Sequence, residues 1–327
     1  MSGPFAYRRA RDLSDALEAA ARPGCAVMAG GTELLQLWKA GIARPDLVVD
    51  IGRLPLDVVE DRGDRLVIGA LAPMSDVADH PTVRERCPAV AQALLASASP
   101  QVRNAATIGG NLMQRTRCVY FRGADLPCNK RRPGSGCGAR EGESRFAALF
   151  GTSEHCVAAH ASDLAVALVA LGASVRLRGS GGERELPLEE LYIPPGDQPE
   201  RETALRRGEL IAAVEVPATP LARRSGYRKV RDRAAFEFAL VSAAVALEID
   251  GGVVAGARVA AGGVSTTPRR LRRCEAALVG APPGEQAYRR AAELACEGAR
   301  PLSGNRFKLD LLRRTIVRAL VDLEGAA

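Results

Sequence analysis

Four cysteines crowd one stretch of the sequence: Cys118, Cys128, Cys137 and Cys156, with nine, eight and eighteen residues between successive members. Thiolates bind zinc and iron–sulfur clusters, and four of them saturate either centre. The close cysteine pairs of zinc ribbons and the spacings of ferredoxins are both missing, so these ligands converge only if the loop wraps around a metal centre. The reading places an iron–sulfur cluster ahead of zinc, and either ahead of no metal. Arg115, Arg117, Arg122, Lys130, Arg131 and Arg132 stand close by, as counter-charges to a thiolate cluster or as a solvated basic face. Cys25, Cys87, Cys274 and Cys296 lie alone in apolar or helix-like contexts and read as small buried residues.

Two glycine turns carry a second kind of chemistry. Ala29-Gly30-Gly31-Thr32-Glu33-Leu34 joins an apolar run, Cys25–Ala29, to a helical pattern. Glycine lets backbone approach a ligand closely, and the free N–H groups at a helix start favour anions. Neither the dinucleotide fingerprint nor the P-loop spacing is present. Thr107-Ile108-Gly109-Gly110-Asn111 offers further backbone donors, a hydroxyl and an amide. Alone, each turn reads as structural; together, about 75 residues apart, they suit the two sides of a pyrophosphate.

The surrounding patterns say how these turns are held. Phe5–Arg8, Cys25–Ala29 and Leu47–Ile51 read as strands separated by helices at Leu13–Ala21, capped by Asp12, and Glu33–Ala40: a small parallel βαβ unit. Arg65–Leu71 opens a second unit, with helices at Ser75–Asp79 and Pro81–Ala96. Residues 113–157 have no period and form a long loop, a length that calls for an organiser other than a core. A helix at Asp163–Leu171, a hairpin at Ala173–Arg178 and Glu183–Leu186, and a strand at Glu209–Val216 follow, and Thr219–Arg224 is the main boundary. Beyond it lie antiparallel strands at Tyr227–Arg231, Leu240–Ile249 and Val253–Ala261, then helices at Leu271–Leu278, Glu285–Glu297 and Lys308–Leu323. The class is α+β.

With 327 residues, 47% hydrophobic and 25% charged, the chain has the composition of a globular protein of two or three domains. Its apolar runs fall short of a membrane span, and the N-terminus does not read as a secretory signal. A net charge of +7 with 4% aromatic residues argues against a single-strand nucleic-acid platform.

These residues resemble a family. Ala29-Gly-Gly-Thr-Glu-Leu-Leu35, Ala106-Thr-Ile-Gly-Gly-Asn-Leu112 and Ser162-Asp163-Leu-Ala are similar to the flavin motifs of the flavoprotein subunit of molybdenum hydroxylases, and so are Tyr227–Arg233 and Ala239–Ser242. Gln114–Cys118, Pro127–Arg131 and Pro133–Cys137 resemble the [4Fe–4S] loop of the flavin subunit in bacterial periplasmic aldehyde oxidoreductases. A comparable insertion occurs in 4-hydroxybenzoyl-CoA reductase, which is the alternative relative.

The resemblance implies a two-subdomain FAD-binding domain of the vanillyl-alcohol-oxidase/molybdenum-hydroxylase type over 1–218, split into 1–55 and 56–218. The insertion occupies 113–157, and a C-terminal domain with a small antiparallel sheet and helices spans 219–327. It implies FAD held by Val27, Met28, Ala29, Gly30, Gly31, Thr32, Glu33 and Leu34 on one side and by Thr107, Gly109, Gly110 and Asn111 on the other. Asp163 would bond the cofactor's polar chain, and Ile211 and Lys229 would lie towards the flavin ring. Cys118, Cys128, Cys137 and Cys156 would hold a [4Fe–4S] cluster. The implied partners are a large molybdenum-cofactor subunit, a small [2Fe–2S] subunit and an external electron acceptor, with no nucleic acid and no membrane insertion. No side chain here would act on the organic substrate. The implied place is the periplasm, reached on a partner's export signal, with the cytoplasm as alternative. One departure stands out: Ala96-Ser97-Ala98-Ser99 lacks the aromatic residue that eukaryotic xanthine oxidases place near the flavin. A self-contained flavin oxidase is disfavoured because His80, His155 and His160 adjoin neither glycine turn; a zinc-clamped scaffold or nucleic-acid module would leave both turns unexplained.

Overall fold

The alternation of short apolar runs and helical segments in the first fifty residues closes as expected in the computed structural model, which describes residues 3–325. Strands β1 (Ala6–Arg9), β2 (Cys25–Met28) and β3 (Leu47–Asp50) form a parallel sheet in the order β1-β3-β2. The Asp12 carboxylate accepts from the Asp15 N–H at 2.8 Å and starts the Leu13–Ala20 helix, which packs Ala16 and Ala19 on the sheet.

A second sheet follows the order β4-β5-β8-β6-β7, from β4 (Val59–Asp61), β5 (Arg65–Gly69), β6 (Ser174–Gly179), β7 (Gly182–Pro187) and β8 (Leu210–Pro217). Sequence reading misses β4, a three-residue edge too short to show a period. The helix expected over Pro81–Ala96 is two helices, Pro81–Arg86 and Pro88–Ala96. Pro88 forces Cys87 out of the helical region (φ −151°) and lacks the N–H that would carry the ladder through. The stretch around the second glycine turn, read as irregular, forms two short helices, Pro100–Ala105 and Ile108–Leu112, capped by Ser99 and Thr107.

The third sheet is antiparallel, in the order β12-β11-β10-β9, from β9 (Ser225–Val230), β10 (Val241–Asp250), β11 (Val253–Gly262) and β12 (Arg269–Arg270). Gly251 and Gly252, both at positive φ, make the two-residue turn between β10 and β11. Strand β10 is apolar throughout because both its faces are covered. Val241, Ala243, Val245 and Leu247 face the C-terminal helices, while Ala244 and Ala246 join the large core under the Asp163–Ala170 helix. Small residues on that second face admit the helix closely: a Cβ on Gly262 would come within 2.6 Å of Val166.

Residues 113–157 are ordered by polar contacts more than by a core. Beyond one helical turn at Val119–Arg122, the loop consists of turns pinned by side chains. Arg131 donates to the carbonyls of Tyr120 and Phe121 at 2.7 and 2.8 Å, and Asn129 bridges the Gly136 N–H and the His155 carbonyl. The returning end of the loop is clamped by the start of the Lys308–Gly325 helix and the turn before it: Asn305 donates to the Ala147 and Ala148 carbonyls, and Lys308 Nζ to those of Ala147 and Gly263 at 3.1 and 2.8 Å. Burial, aided by the nearby Arg145, pushes the Lys308 ammonium down from 10.5 to about 7. Its folded pKa therefore lies below its unfolded one. Between these values the unfolded chain holds the extra proton, so this group's contribution to stability is complete above pH 10.5 and is lost as pH falls towards 7. Lys308→Met should remove that dependence. The difference in unfolding free energy between wild type and variant, from denaturant titrations at pH 9 and pH 7, should shift in the variant's favour by about 2–3 kcal/mol at the lower pH. An unchanged difference would show that the ammonium is not buried in the folded protein.

Candidate functional site

The first glycine turn leaves β2 at Met28. Gly31 has φ +70°, a conformation open to glycine, and among the described residues the N–H groups of Gly30, Gly31 and Thr32 have no acceptor. Gly30 lies against the end of the Pro100–Ala105 helix, where a Cβ would sit 1.7 Å from the Ala105 carbonyl oxygen. The two glycine turns are thus brought side by side. Glu33 begins the Leu34–Lys39 helix, and its carboxylate faces the cysteine loop: it accepts from the Arg115 N–H at 3.1 Å and pairs with Arg117 at 2.9 Å and with Arg122. Val27 and Ala29 pack into the small core behind the turn.

In the second turn the backbone is already used. The Gly109 N–H donates to the Ala70 carbonyl at 2.7 Å, that of Gly110 to Thr107 Oγ1 at 3.2 Å and that of Asn111 to the Thr107 carbonyl at 2.8 Å. The Asn111 side chain accepts from the Ser162 hydroxyl at 2.6 Å, and Ser162 in turn caps the Asp163–Ala170 helix. The expectation that this turn supplies free backbone donors is corrected: Thr107, Gly109 and Asn111 fix one another and the next helix, and Gly109 is small because Ala70 lies 3.0 Å from where its Cβ would stand.

Asp163 and Lys229, separate expectations in the sequence, meet as one buried ion pair. Lys229 Nζ lies 2.7 Å from Asp163 Oδ2, which also accepts from Ser97 Oγ at 3.0 Å, while Oδ1 accepts from the Tyr227 hydroxyl at 2.5 Å. Burial and the adjacent carboxylate push the Tyr227 phenol far above its ordinary value, so it stays a donor. Lys229 also donates to the Ala96 carbonyl at 3.1 Å, tying the third sheet to the Pro88–Ala96 helix.

These pieces face a common cleft, whose volume of about 400 Å³ lies in the range of ligand pockets. Thr32, Glu33, Gly110, Asn111, Asp163 and Lys229 line it. Ile211 does not: it sits in β8 opposite Leu177, buried in the large core. Ser97 and Ala98, from the stretch that lacks the aromatic, and Arg233, at the end of the Tyr227–Arg233 motif, also border the cleft, as do Phe236, Glu237 and Phe238, which no motif marks. Ala98 (φ 52°) and Phe236 (φ 53°) are the non-glycine residues at positive φ among those described, and both are cleft residues, the kind of backbone strain that gathers at binding sites. The missing aromatic before the second turn is matched by aromatics from another segment, Phe236 and Phe238. The cleft fits a flavin dinucleotide in its chemistry: unpaired N–H groups at a positive-φ glycine turn for a pyrophosphate, and a buried charged pair for polar groups further along.

The four loop cysteines share a neighbourhood. Cys128 and Cys137 form an isolated antiparallel bridge, and Cys118 borders the small apolar clusters of both. Burial raises the Cys118 thiol, with Cys128 and Cys137 adding to the rise, and it raises Cys156 to about 11. The N–H groups of Phe121 and Tyr120 point at Cys118 and that of Ala158 at Cys156. Yet among the described residues no three His, Cys, Asp or Glu side chains stand together in a way that would hold a metal ion. The expectation of a ready-made metal site at Cys118, Cys128, Cys137 and Cys156 is corrected to that extent: the four thiols share a neighbourhood without closing on a common point. His160, held near 4 by burial, is neutral and stacks edge-on against Tyr192.

Comparison with known proteins agrees with this architecture. The family of FAD binding domains in molybdopterin dehydrogenases matches residues 3–219, and the C-terminal domain family of CO dehydrogenase flavoproteins matches 225–322. The chain is 44% identical over 327 residues to the aldehyde oxidoreductase FAD-binding subunit PaoB of Escherichia coli, covering 99% of each. It is 26% identical to the carbon monoxide dehydrogenase medium chain of Hydrogenophaga pseudoflava, covering 97% of this chain and 96% of that one. Among solved structures, quinoline 2-oxidoreductase from Pseudomonas putida superposes with a TM-score of 0.78 at 25% identity, over 100% of this chain and 99% of the other. No helix among the described residues is long and apolar enough to cross a membrane.

Proposed function

The chain belongs to the FAD-binding medium subunits of the molybdenum hydroxylase family, and from that premise we propose that it is the electron-transfer flavoprotein subunit of a heterotrimeric aldehyde oxidoreductase. In this reading a large molybdenum-cofactor subunit oxidises the substrate, a small [2Fe–2S] subunit delivers the electrons, and an external acceptor receives them. FAD, when bound, supplies the exchange of electrons singly or in pairs that joins such donors and acceptors. The observation that carries the reading is the cleft itself, which Thr32 of the first glycine turn, Gly110 and Asn111 of the second and the Asp163–Lys229 pair line together, with the N–H groups of Thr32 and of the adjacent Gly30 and Gly31 unbonded. The turn would hold the pyrophosphate, and the pair would orient and neutralise polar groups nearer the ring. The proposal takes Cys118, Cys128, Cys137 and Cys156 as ligands of a [4Fe–4S] cluster, supported by their shared neighbourhood and by the backbone N–H groups aimed at Cys118 and Cys156. The 44% identity to an aldehyde oxidoreductase subunit supports aldehydes as the substrate class of the assembly.

The test is the visible spectrum of the anaerobically purified chain, with flavin, iron, sulfide and zinc quantified. Stoichiometric FAD with about four iron and four sulfide per chain is expected, and Cys118→Ser should lose the iron while keeping the flavin. A chain without flavin overturns the proposal. Flavin with zinc, or flavin without metal in strictly anaerobic preparations, overturns the cluster alone.

A further inference from the structure

The cysteine loop is fastened to the element that carries the first glycine turn. Phe121, fully buried in the helical turn of the loop, packs with Leu37 of the Leu34–Lys39 helix and with Ile42 just beyond it. The guanidinium groups of Arg115 and Arg122 lie over its ring, 4.5 and 5.6 Å from the centroid. Glu33, at the start of the same helix, gathers donors from residues 115–122: the Arg115 N–H at 3.1 Å, the Arg117 guanidinium at 2.9 Å and Arg122 Nη2. Arg122 is itself fixed by the loop, since its Nε donates to the Thr116 carbonyl at 2.9 Å and its Nη2 to that of Arg115 at 3.1 Å. The Thr116 hydroxyl carries the connection on, donating to the Ala159 carbonyl at 3.0 Å and accepting from the Cys118 N–H at 3.2 Å.

Exposed ion pairs contribute little, because water competes for both partners. This one is sheltered: the Glu33 side chain is 16% exposed and that of Arg122 21%. Losing either leaves a partly buried charge short of a partner. Arg122 does not line the cleft, whereas Glu33 does and follows Thr32 directly. The glycine turn is thus strung between two anchors. Gly30 is pressed against the Ala105 carbonyl at one end, and Glu33 is held by the loop at the other. The unbonded N–H groups of Gly30, Gly31 and Thr32 lie between them. With both anchors fixed these donors keep their places. With the second released, a bound anion would have to order them itself, at a cost in affinity.

We infer that the cysteine loop is the outer support of the cofactor turn, and that Arg122 is a positioning residue for FAD. It reaches no part of the cleft and acts through Glu33 on the N–H groups that meet the pyrophosphate. The inference rests on the proposed FAD site and is independent of what the four cysteines hold. Coupling between two sites is reciprocal, so bound FAD also steadies the Arg122 stretch.

The test is FAD titration of the full chain after removal of its flavin, followed by flavin fluorescence and read beside thermal melts. Arg122→Gln should weaken FAD about tenfold, although the side chain cannot touch it. Arg122→Lys keeps a cation for Glu33 and should stay within about threefold of wild type. Glu33→Gln should lose about as much as Arg122→Gln, and the double variant no more than either alone, as for two residues acting as one unit. Wild-type affinity in Arg122→Gln, additive losses in the double variant, or equal losses in Arg122→Lys and Arg122→Gln overturn the inference. Where Arg122→Gln does not fold, amide hydrogen exchange of the wild type decides. Saturating FAD should slow exchange about tenfold at residues 118–122, none of which lines the cleft. Exchange there that ignores bound FAD overturns the inference. A wild-type chain that takes up no FAD overturns the proposed function as well, a result read from its flavin content before any variant is compared.

Discussion

Asp163→Asn should lower the melting temperature by about 10 °C and strip most of the FAD from the purified protein. Three donors converge on this buried carboxylate: Lys229 Nζ, Ser97 Oγ and the Tyr227 hydroxyl. An amide in its place turns one acceptor edge into a donor, which then faces at least one of them. It also leaves the Lys229 ammonium without a counter-charge at 3% side-chain exposure. Breaking a buried pair from one side costs about 3–5 kcal/mol, more than the pair contributes intact, because the remaining charge stays desolvated. A double-mutant cycle separates this from general damage. Asp163→Asn with Lys229→Met removes the stranded charge, so the double variant should be more stable than Asp163→Asn alone, recovering about half the loss. Additive destabilisation would mean that the two side chains do not depend on each other. The flavin readout is independent of this one: the double variant should regain stability without regaining FAD, since neither new side chain can serve a polar cofactor group.

The same cluster shows what the sequence made legible. The glycine turns, Asp163 and Lys229 each stand out by residue type, and the parallel and antiparallel sheets by their apolar periods. Periodicity is a local property, and it suffices where an element buries one face. It does not reveal that Lys229 closes on Asp163, 66 residues away, or that Ser97 and Tyr227 complete the set. Nor does a motif reveal how its own backbone is spent: Gly109, Gly110 and Asn111 look like free donors in the sequence and are satisfied by Ala70 and Thr107 in the fold. Ile211 reads as a ring neighbour through alignment with a family, yet the strand that carries it turns its side chain into the core. Residues 234–238 fall between two motifs, and strain at Phe236 has no signature in residue type: a phenylalanine at positive φ looks like any other until its backbone is seen. Cysteine spacing showed that the loop needed an organiser, but Glu33, Asn305 and Lys308, which clamp it, lie far from it in the chain.

Gly30→Ala should weaken FAD binding by about a hundredfold while costing the fold only about 1–3 kcal/mol. Its φ is not in the left-handed region, so the demand at this position is space and not conformation. The new Cβ would stand 1.7 Å from the Ala105 carbonyl oxygen and 2.7 Å from its carbon, both backbone atoms that no rotamer change can move aside. Either the Ala29–Thr32 turn or the end of the Pro100–Ala105 helix must shift, and the second is held by the Met74 N–H bonded to the Ala106 carbonyl at 2.8 Å and by the Ala106 N–H bonded to Val102 at 2.8 Å. The turn, whose N–H groups are unbonded, is the part that gives way. Displacing it by a fraction of its own width moves these unbonded donors, and a pyrophosphate bound through several N–H groups loses them together. Gly134→Ala, at a loop glycine with nothing near its Cβ, controls for glycine replacement as such. Flavin fluorescence titrations of apoprotein, read beside thermal melts, check the split. A hundredfold loss of affinity with a small drop in melting temperature places the effect in the turn. Equal FAD affinity in Gly30→Ala and wild type would show that these N–H groups do not hold the cofactor.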